Sequence, residues 1–236
     1  MTQVKSAREL VQQGDKYFNW RGGDVSRLES LFDAVIALAL TLIVVSVEVP
    51  DSFDVLKDTF ARLPAFAICF AILIMSWYYH FLFHRRYGLE DYPLVILNTV
   101  LMFLVVFYVY PLKFLYSVLF DSNAKISNED MPALMLMYSG GFTAIFCLLT
   151  AMYVYAYFKR DGLELNENEV LQTKMKITEL AIYSVVGLAS IAMVFAGHPP
   201  LAGLAYIAIG PLVGLNGHLW GRQIREPEGE VGTPGS

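Results

Sequence analysis

Six apolar runs, each about as long as a bilayer is thick, constrain this chain more than any other feature. They are approximately Leu31–Val49, Leu63–Phe83, Pro93–Phe120, Met131–Phe158, Ile177–Ala196 and Leu201–Trp220. A spanning helix needs roughly 20 apolar residues, and in hydrocarbon the backbone must satisfy its own hydrogen bonds. Bounded by charge, proline or glycine, the runs predict six transmembrane helices, with Gly197 to Pro200 as a tight hairpin between the last two. Composition agrees: 56% of the 236 residues are hydrophobic, more than a soluble domain of this size buries. The expected organisation is a cytoplasmic segment 1–30, an all-α membrane domain 31–221 and a disordered Pro/Gly-rich tail 222–236. The polar first 26 residues show no cleaved signal peptide.

Charge gives the orientation. Of 17 Lys and Arg, only Lys57, Arg62, Lys113 and Lys125 fall on the side away from the termini. That bias predicts both termini in the cytoplasm and a multi-pass protein of the cell's inner (plasma) membrane. The opposite side carries Asp51, Asp54, Asp58, Asp121, Glu129 and Asp130. These carboxylates read either as a mouth that concentrates cations or as a solvated loop face. A net charge of −5 speaks against nucleic acid as a partner.

Catalytic chemistry finds little to stand on. His80 and His84 have the i, i+4 spacing of a metal pair, but the chain has four His in all, and His198 and His218 are far away in sequence. No HExxH, GxSxG or Walker pattern occurs, so neither enzyme activity nor a cofactor is expected. Cys69 and Cys147 lie in apolar runs and read as packed thiols. The segment Asp161–Glu169 reads as an acidic surface loop, and Trp77, Tyr78, Tyr79 and Phe81 as an interfacial belt. Gly140-Gly141, Gly187 and the small-xxx-small pairs Gly210/Gly214 and Gly217/Gly221 read as close helix contacts, and Pro111 and Pro211 as kinks.

The first run is the most informative. Leu38, Thr41, Leu42, Val45 and Glu48 form one stripe at helical spacing. Around an oligomer axis they would stack apolar rings, a hydroxyl ring and an outer carboxylate ring. Apolar rings gate by excluding water, and a carboxylate ring favours cations. The same stripe also reads as ordinary helix packing. No TVGYG occurs, so a P-loop filter of backbone carbonyls is ruled out, and side chains and pore width must set any selectivity.

Arg27-x3-Leu31-Phe32-Asp33, followed by Ala34 to Leu42 and on to Val49-Pro50, resembles the opening helix of the transmembrane protein 175 family. These are lysosomal and prokaryotic potassium channels with Arg-x-x-x-Phe-Ser-Asp at that point. Trp77, His80 and Asn98 also stand where family members carry similar residues. Here Leu31-Phe32 replaces Phe-Ser, so the serine hydroxyl is missing while Arg27 and Asp33 keep their register. The resemblance implies a prokaryotic homotetramer in a lipid bilayer, with the first helix of each subunit lining the pore. It implies K+ as the permeant ion, Na+ passing less well, Leu38 as the main constriction and Thr41 as a selectivity hydroxyl.

Arg27 and Asp33 lie six apart, on different faces of one helix, and are poorly placed to pair with each other. Ionisable groups beside hydrocarbon need partners. Arg27 is expected to reach Glu29 or a neighbouring helix, and Asp33 to accept from His80, Asn98 or the Trp77 indole N–H. The alternative function is a proton- or ion-coupled secondary transporter working at Asp33 or Lys113. Such transporters carry broken helices and inverted repeats, whereas the first run here is unbroken and no repeat is visible.

Overall fold

Helix ends follow the capping chemistry of this chain rather than the edges of its apolar runs. The structure, a computed structural model, describes residues 18–45, 52–61, 63–120, 127 and 129–223. Within these residues lie α1 (Arg27–Val45), α2 (Phe53–Ala61), α3 (Leu63–Tyr87), α4 (Tyr92–Phe120), α5 (Met131–Phe158) and α6 (Glu167–Phe195). They are followed by α7 (Pro199–Leu204), a 3-10 turn (Ala205–Ala208) and α8 (Ile209–Gly221). No strand occurs among the described residues. Among the described residues, five helical stretches, in α3 to α6 and over Leu201–Gly221, are long and apolar enough to cross a membrane. With α1, these make the six expected helices.

Several boundaries differ from the sequence reading, and α3 runs on to Tyr87 rather than ending at Phe83. α1 starts at Arg27, before the apolar run, because the Ser26 hydroxyl accepts from the Glu29 N–H at 3.0 Å and caps the first turn. α6 starts ten residues earlier than the apolar run. Asn166 caps it in a reciprocal box: its side chain accepts from the Glu169 N–H, and Glu169 accepts from the Asn166 N–H. The last span is broken into α7, the 3-10 turn and α8. Pro211 lacks the N–H that would bond back to Ile207, which explains the tighter turn just before it. α4 runs without a break through Pro111.

α5 and α6 form the central antiparallel pair; α1 packs across α3 and α4, and α7 and α8 lean on α6. Hydrocarbon is as apolar as leucine, so burial alone does not assemble these helices, and close packing and polar contacts must do so. Rings supply the packing: Phe142, Phe146 and Tyr183 lie with centroids 4.6 Å apart along the chain of contacts between α5 and α6. Hydrogen bonds supply the register. Ser139 and Ser190 bond at 2.8 Å, Ser190 donates to the Ala202 carbonyl at 2.9 Å, and Thr178 donates to Asn216 at 2.7 Å.

Only part of the glycine reading holds within the subunit. A Cβ on Gly187 would meet Thr143 Oγ1 at 2.2 Å, and one on Gly141 would meet the Tyr108 ring at 2.3 Å. A Cβ on Gly140, Gly210, Gly214 or Gly221 would meet nothing within 4 Å, so Gly210/Gly214 is not a contact motif among the described residues of this chain. Nor do the aromatics form one belt. Tyr79 is buried, Tyr78 is exposed, and Trp77 turns inward to α1. Cys69 is buried as expected, whereas Cys147 is exposed on α5.

Candidate functional site

α1 has two faces of different character. Phe32, Ile36, Ala39 and Ile43 are buried against α3 and α4. On the other side Arg27, Leu31, Ala34, Ala37, Leu38, Thr41 and Val44 are exposed, at the i, i+3/i+4, i+7 spacing of a single helix face. Leu31, Leu38 and Val44 are each 52% exposed. Thr41 Oγ1 donates to the Ala37 carbonyl at 2.8 Å, which leaves its lone pairs free to accept or to face a cation.

The predicted stripe therefore divides. Leu38 and Thr41 stand on the exposed face, and Leu42 is half-buried at its border, packed on the protein's own core. Of Val45 only the backbone is described, and Glu48 lies outside the described residues. The Lys113 side chain is likewise undescribed.

Two separate polar pairs lie beside the buried face of α1. Asp33 accepts from the Trp77 indole N–H at 2.7 Å. His80 Nε2 meets Asn98 Oδ1 at 2.6 Å, while the Asn98 amide donates to the Leu94 carbonyl at 2.8 Å. That amide orientation makes Oδ1 the acceptor, so His80 carries its proton on Nε2. His80 and Asn98 thus bond to each other rather than to Asp33.

Two features correct the sequence reading. Arg27 does not reach Glu29; it is exposed and makes no ion pair among the described residues. Glu29 is buried and pairs instead with Arg85 at 3.4 Å. The second is Phe32, at the family's serine position, which is fully buried and stacks on His80 at 3.8 Å between ring centroids. The Phe32 ring fills the space over the imidazole face. The tyrosine-lined carboxylate Glu179, which accepts from the Tyr79 hydroxyl and from Lys176, was not anticipated either.

The acidic segment read as a loop also differs. Glu169 is completely buried, and Arg21 bonds both of its oxygens, at 3.0 and 2.8 Å. The signals for this were present. Ser26-x-x-Glu29 and Asn166-x-x-Glu169 both have capping-box spacing, which places their glutamates in a first helical turn.

Comparison with known proteins joins these observations. Residues 27–108, which carry α1 and its partners Trp77, His80 and Asn98, match the family model "Endosomal/lysosomal potassium channel TMEM175". A potassium channel of Marivirga tractuosa is 35% identical over 202 residues, covering 80% of this chain and 82% of that protein. The potassium channel Cha6605_3372 of Chamaesiphon minutus is 26% identical over 144 residues, covering 56% of this chain and 66% of that one. The crystal structure of a variant of the potassium channel MtTMEM175, solved with a nanobody–MBP fusion protein, superposes with a TM-score of 0.76 at 32% identity. The match covers 88% of this chain and 98% of that one. With α1, its two-faced packing and its Asp33 network in the matched region, this chain belongs to the TMEM175 family of potassium channels.

Proposed function

We propose that the chain forms a homotetrameric pore lined by the exposed face of α1, in which Leu38 makes the narrowest ring. The carrying observation is that face itself. Its small residues Ala34 and Ala37 let helix backbones approach closely, and the hydroxyl of Thr41 lies one turn from Leu38. Four Leu38 side chains around an axis form an apolar collar that conducts only when wetted, with Leu42 and Val45 extending it. Thr41 offers hydroxyl oxygens in place of part of the ion's water shell, and Glu48 adds a carboxylate ring at the outer end. K+ sheds water more readily than Na+, so such a pore prefers K+ by a modest margin. Conduction is passive and uses no bound cofactor. Lys/Arg bias supports both termini in the cytoplasm and a plasma-membrane location. The half-buried Asp33–Trp77 pair and the buried His80–Asn98 pair hold α1 at its angle and do not touch the ion.

Cysteine accessibility tests this reading. In a Cys147→Ser background, Leu38→Cys and Thr41→Cys channels in liposomes are treated with a small cationic thiol reagent, with Ile36→Cys as the buried control. Block at 38 and 41 but not at 36 supports the pore face. Block at 36, or insensitivity at both 38 and 41, contradicts it.

A further inference from the structure

Nine residues precede α1 in the described chain, and they are strapped down along their length. Phe18 is buried edge-on to Tyr87, 5.5 Å between centroids, with the Arg86 guanidinium 4.6 Å from its ring centre. Arg21 N–H and Gly22 N–H donate to the carbonyls of Arg86 and Arg85 at 3.4 and 3.1 Å, so the segment closes the open end of α3. Only glycine permits that approach at position 22, where a Cβ would lie 2.4 Å from the His84 carbonyl oxygen.

Arg21 completes the strap. Its Nε donates to the Leu163 carbonyl at 2.7 Å, and Nη2 to the Glu164 carbonyl at 3.1 Å. Both carbonyls belong to the turn between α5 and α6, where Glu164 holds the positive φ of 50°. Both Glu169 oxygens are bonded by the same guanidinium, and Glu169 Oε1 also accepts from the Asn19 N–H at 2.7 Å. A bidentate Arg–carboxylate pair is both strong and geometrically exacting. Just beyond Arg21, Arg85 links α3 to the strap's Gly23 carbonyl at 3.0 Å and to Glu29 in the first turn of α1.

We infer that Arg21 and Glu169 are positioning residues for conduction: through the strap 18–26 they tether the N-terminal end of α1 to α3, on which it packs, and to the first turn of α6. This rests on α1 lining the pore. Arg85, which also holds the strap's Gly23 carbonyl, grips α1 at buried Glu29, on the face opposite exposed Leu38 and Thr41, so the strap draws the inner ends of the pore helices away from the axis. Releasing it lets those ends converge, and conduction falls. The α5–α6 turn and the pore helix are thereby one mechanical unit, although Arg21 and the Leu163 carbonyl it holds lie 142 residues apart in sequence.

The test is K+ flux from liposomes, normalised to assembled oligomer, for wild type, Arg21→Ala, Glu169→Gln and the double variant, each with and without Leu38→Ala. Glu169→Gln is isosteric and keeps the α6 cap, so it decides the matter if Arg21→Ala fails to assemble. A spin label at exposed Val25, in a Cys147→Ser background, reads the distance between inner ends. The expected result is flux per oligomer lowered about fivefold or more in each single variant, with the double no worse than the worse single. The label-to-label distance shortens by about 2 Å or more. Wild-type or raised flux in the single variants, multiplicative losses, or an unchanged distance overturns the strap. If Leu38→Ala leaves flux unchanged in the wild-type background, the pore reading itself fails, which separates the two outcomes.

Discussion

Removing the Asp33 carboxylate is the sharpest test of what the signature acid does. Its Oδ1 accepts from Trp77 Nε1 at 2.7 Å between half-buried side chains of α1 and α3. A hydrogen bond to a charged group contributes roughly 1.5–3 kcal/mol, and an indole N–H left unpaired in a half-buried site adds to the loss. Asp33→Ala should therefore cost about 2 kcal/mol, and Asp33→Asn, which keeps a carbonyl acceptor without the charge, about half of that. Trp77→Phe removes the donor instead. In the double-mutant cycle of Asp33→Asn with Trp77→Phe, the coupling should be about 1 kcal/mol. Helical circular dichroism during unfolding in mixed micelles measures stability, and gel filtration measures the share of intact oligomer. Wild-type stability in Asp33→Ala, together with a changed K+/Na+ permeability ratio, would refute the assignment and put Asp33 in contact with the ion.

Three further outcomes rest on particular contacts. Gly187→Ala forces a methyl within 2.2 Å of Thr143 Oγ1 and should destabilise the α5–α6 pair by about 1–3 kcal/mol, read as a lowered Tm. Phe32→Ser restores the family's residue but empties the space beside His80. It should cost about 3 kcal/mol rather than stabilise the protein, and a raised Tm would refute the stacking account. Burial alone would raise the Asp91 carboxyl, but the Tyr155 hydroxyl and the Lys159 ammonium outweigh it and hold it below the ordinary carboxylate value. A depressed pKa stabilises at pH above that ordinary value, and the gain is lost as pH falls through the folded value. The Tm gap between wild type and Asp91→Asn should thus persist from pH 7 to 5 and close only below about pH 4.

How much the sequence disclosed depended on how local the signal was. Apolar run length and hairpin prolines are properties of neighbouring residues, so six helices were legible in the sequence alone, whereas the i, i+3/i+4 stripe of Leu38 and Thr41 read equally as pore lining or as packing until the family resemblance was added. For Asp33 the sequence offered three donors, His80, Asn98 and Trp77, and left the choice among them open; Trp77 is the one that bonds it. Pairs distant in sequence were not legible. Arg21 and Glu169 are 148 residues apart, and only the packing of α6 on the end of α3 brings them together. Arg85 displaced Arg27 as the partner of Glu29 for the same reason. Two boundaries, at Ser26 and Asn166, were legible in principle, but hydrophobicity alone sets the helix starts too late because the caps and first turns are polar. Gly210 and Gly214 show the converse, since their spacing occurs without a close contact among the described residues.

Conduction through the proposed pore turns on Leu38. The most direct measurement is ion flux from liposomes holding the purified protein, wild type against Leu38→Ala, under K+ and then Na+ gradients. An apolar collar predicts passive, non-saturating flux that favours K+ and rises about tenfold when the side chain is shortened, as expected from lowering a barrier by roughly 1.4 kcal/mol. Flux that saturates, follows a proton gradient and ignores Leu38 would contradict it, and the exposed face of α1 would then be a packing surface.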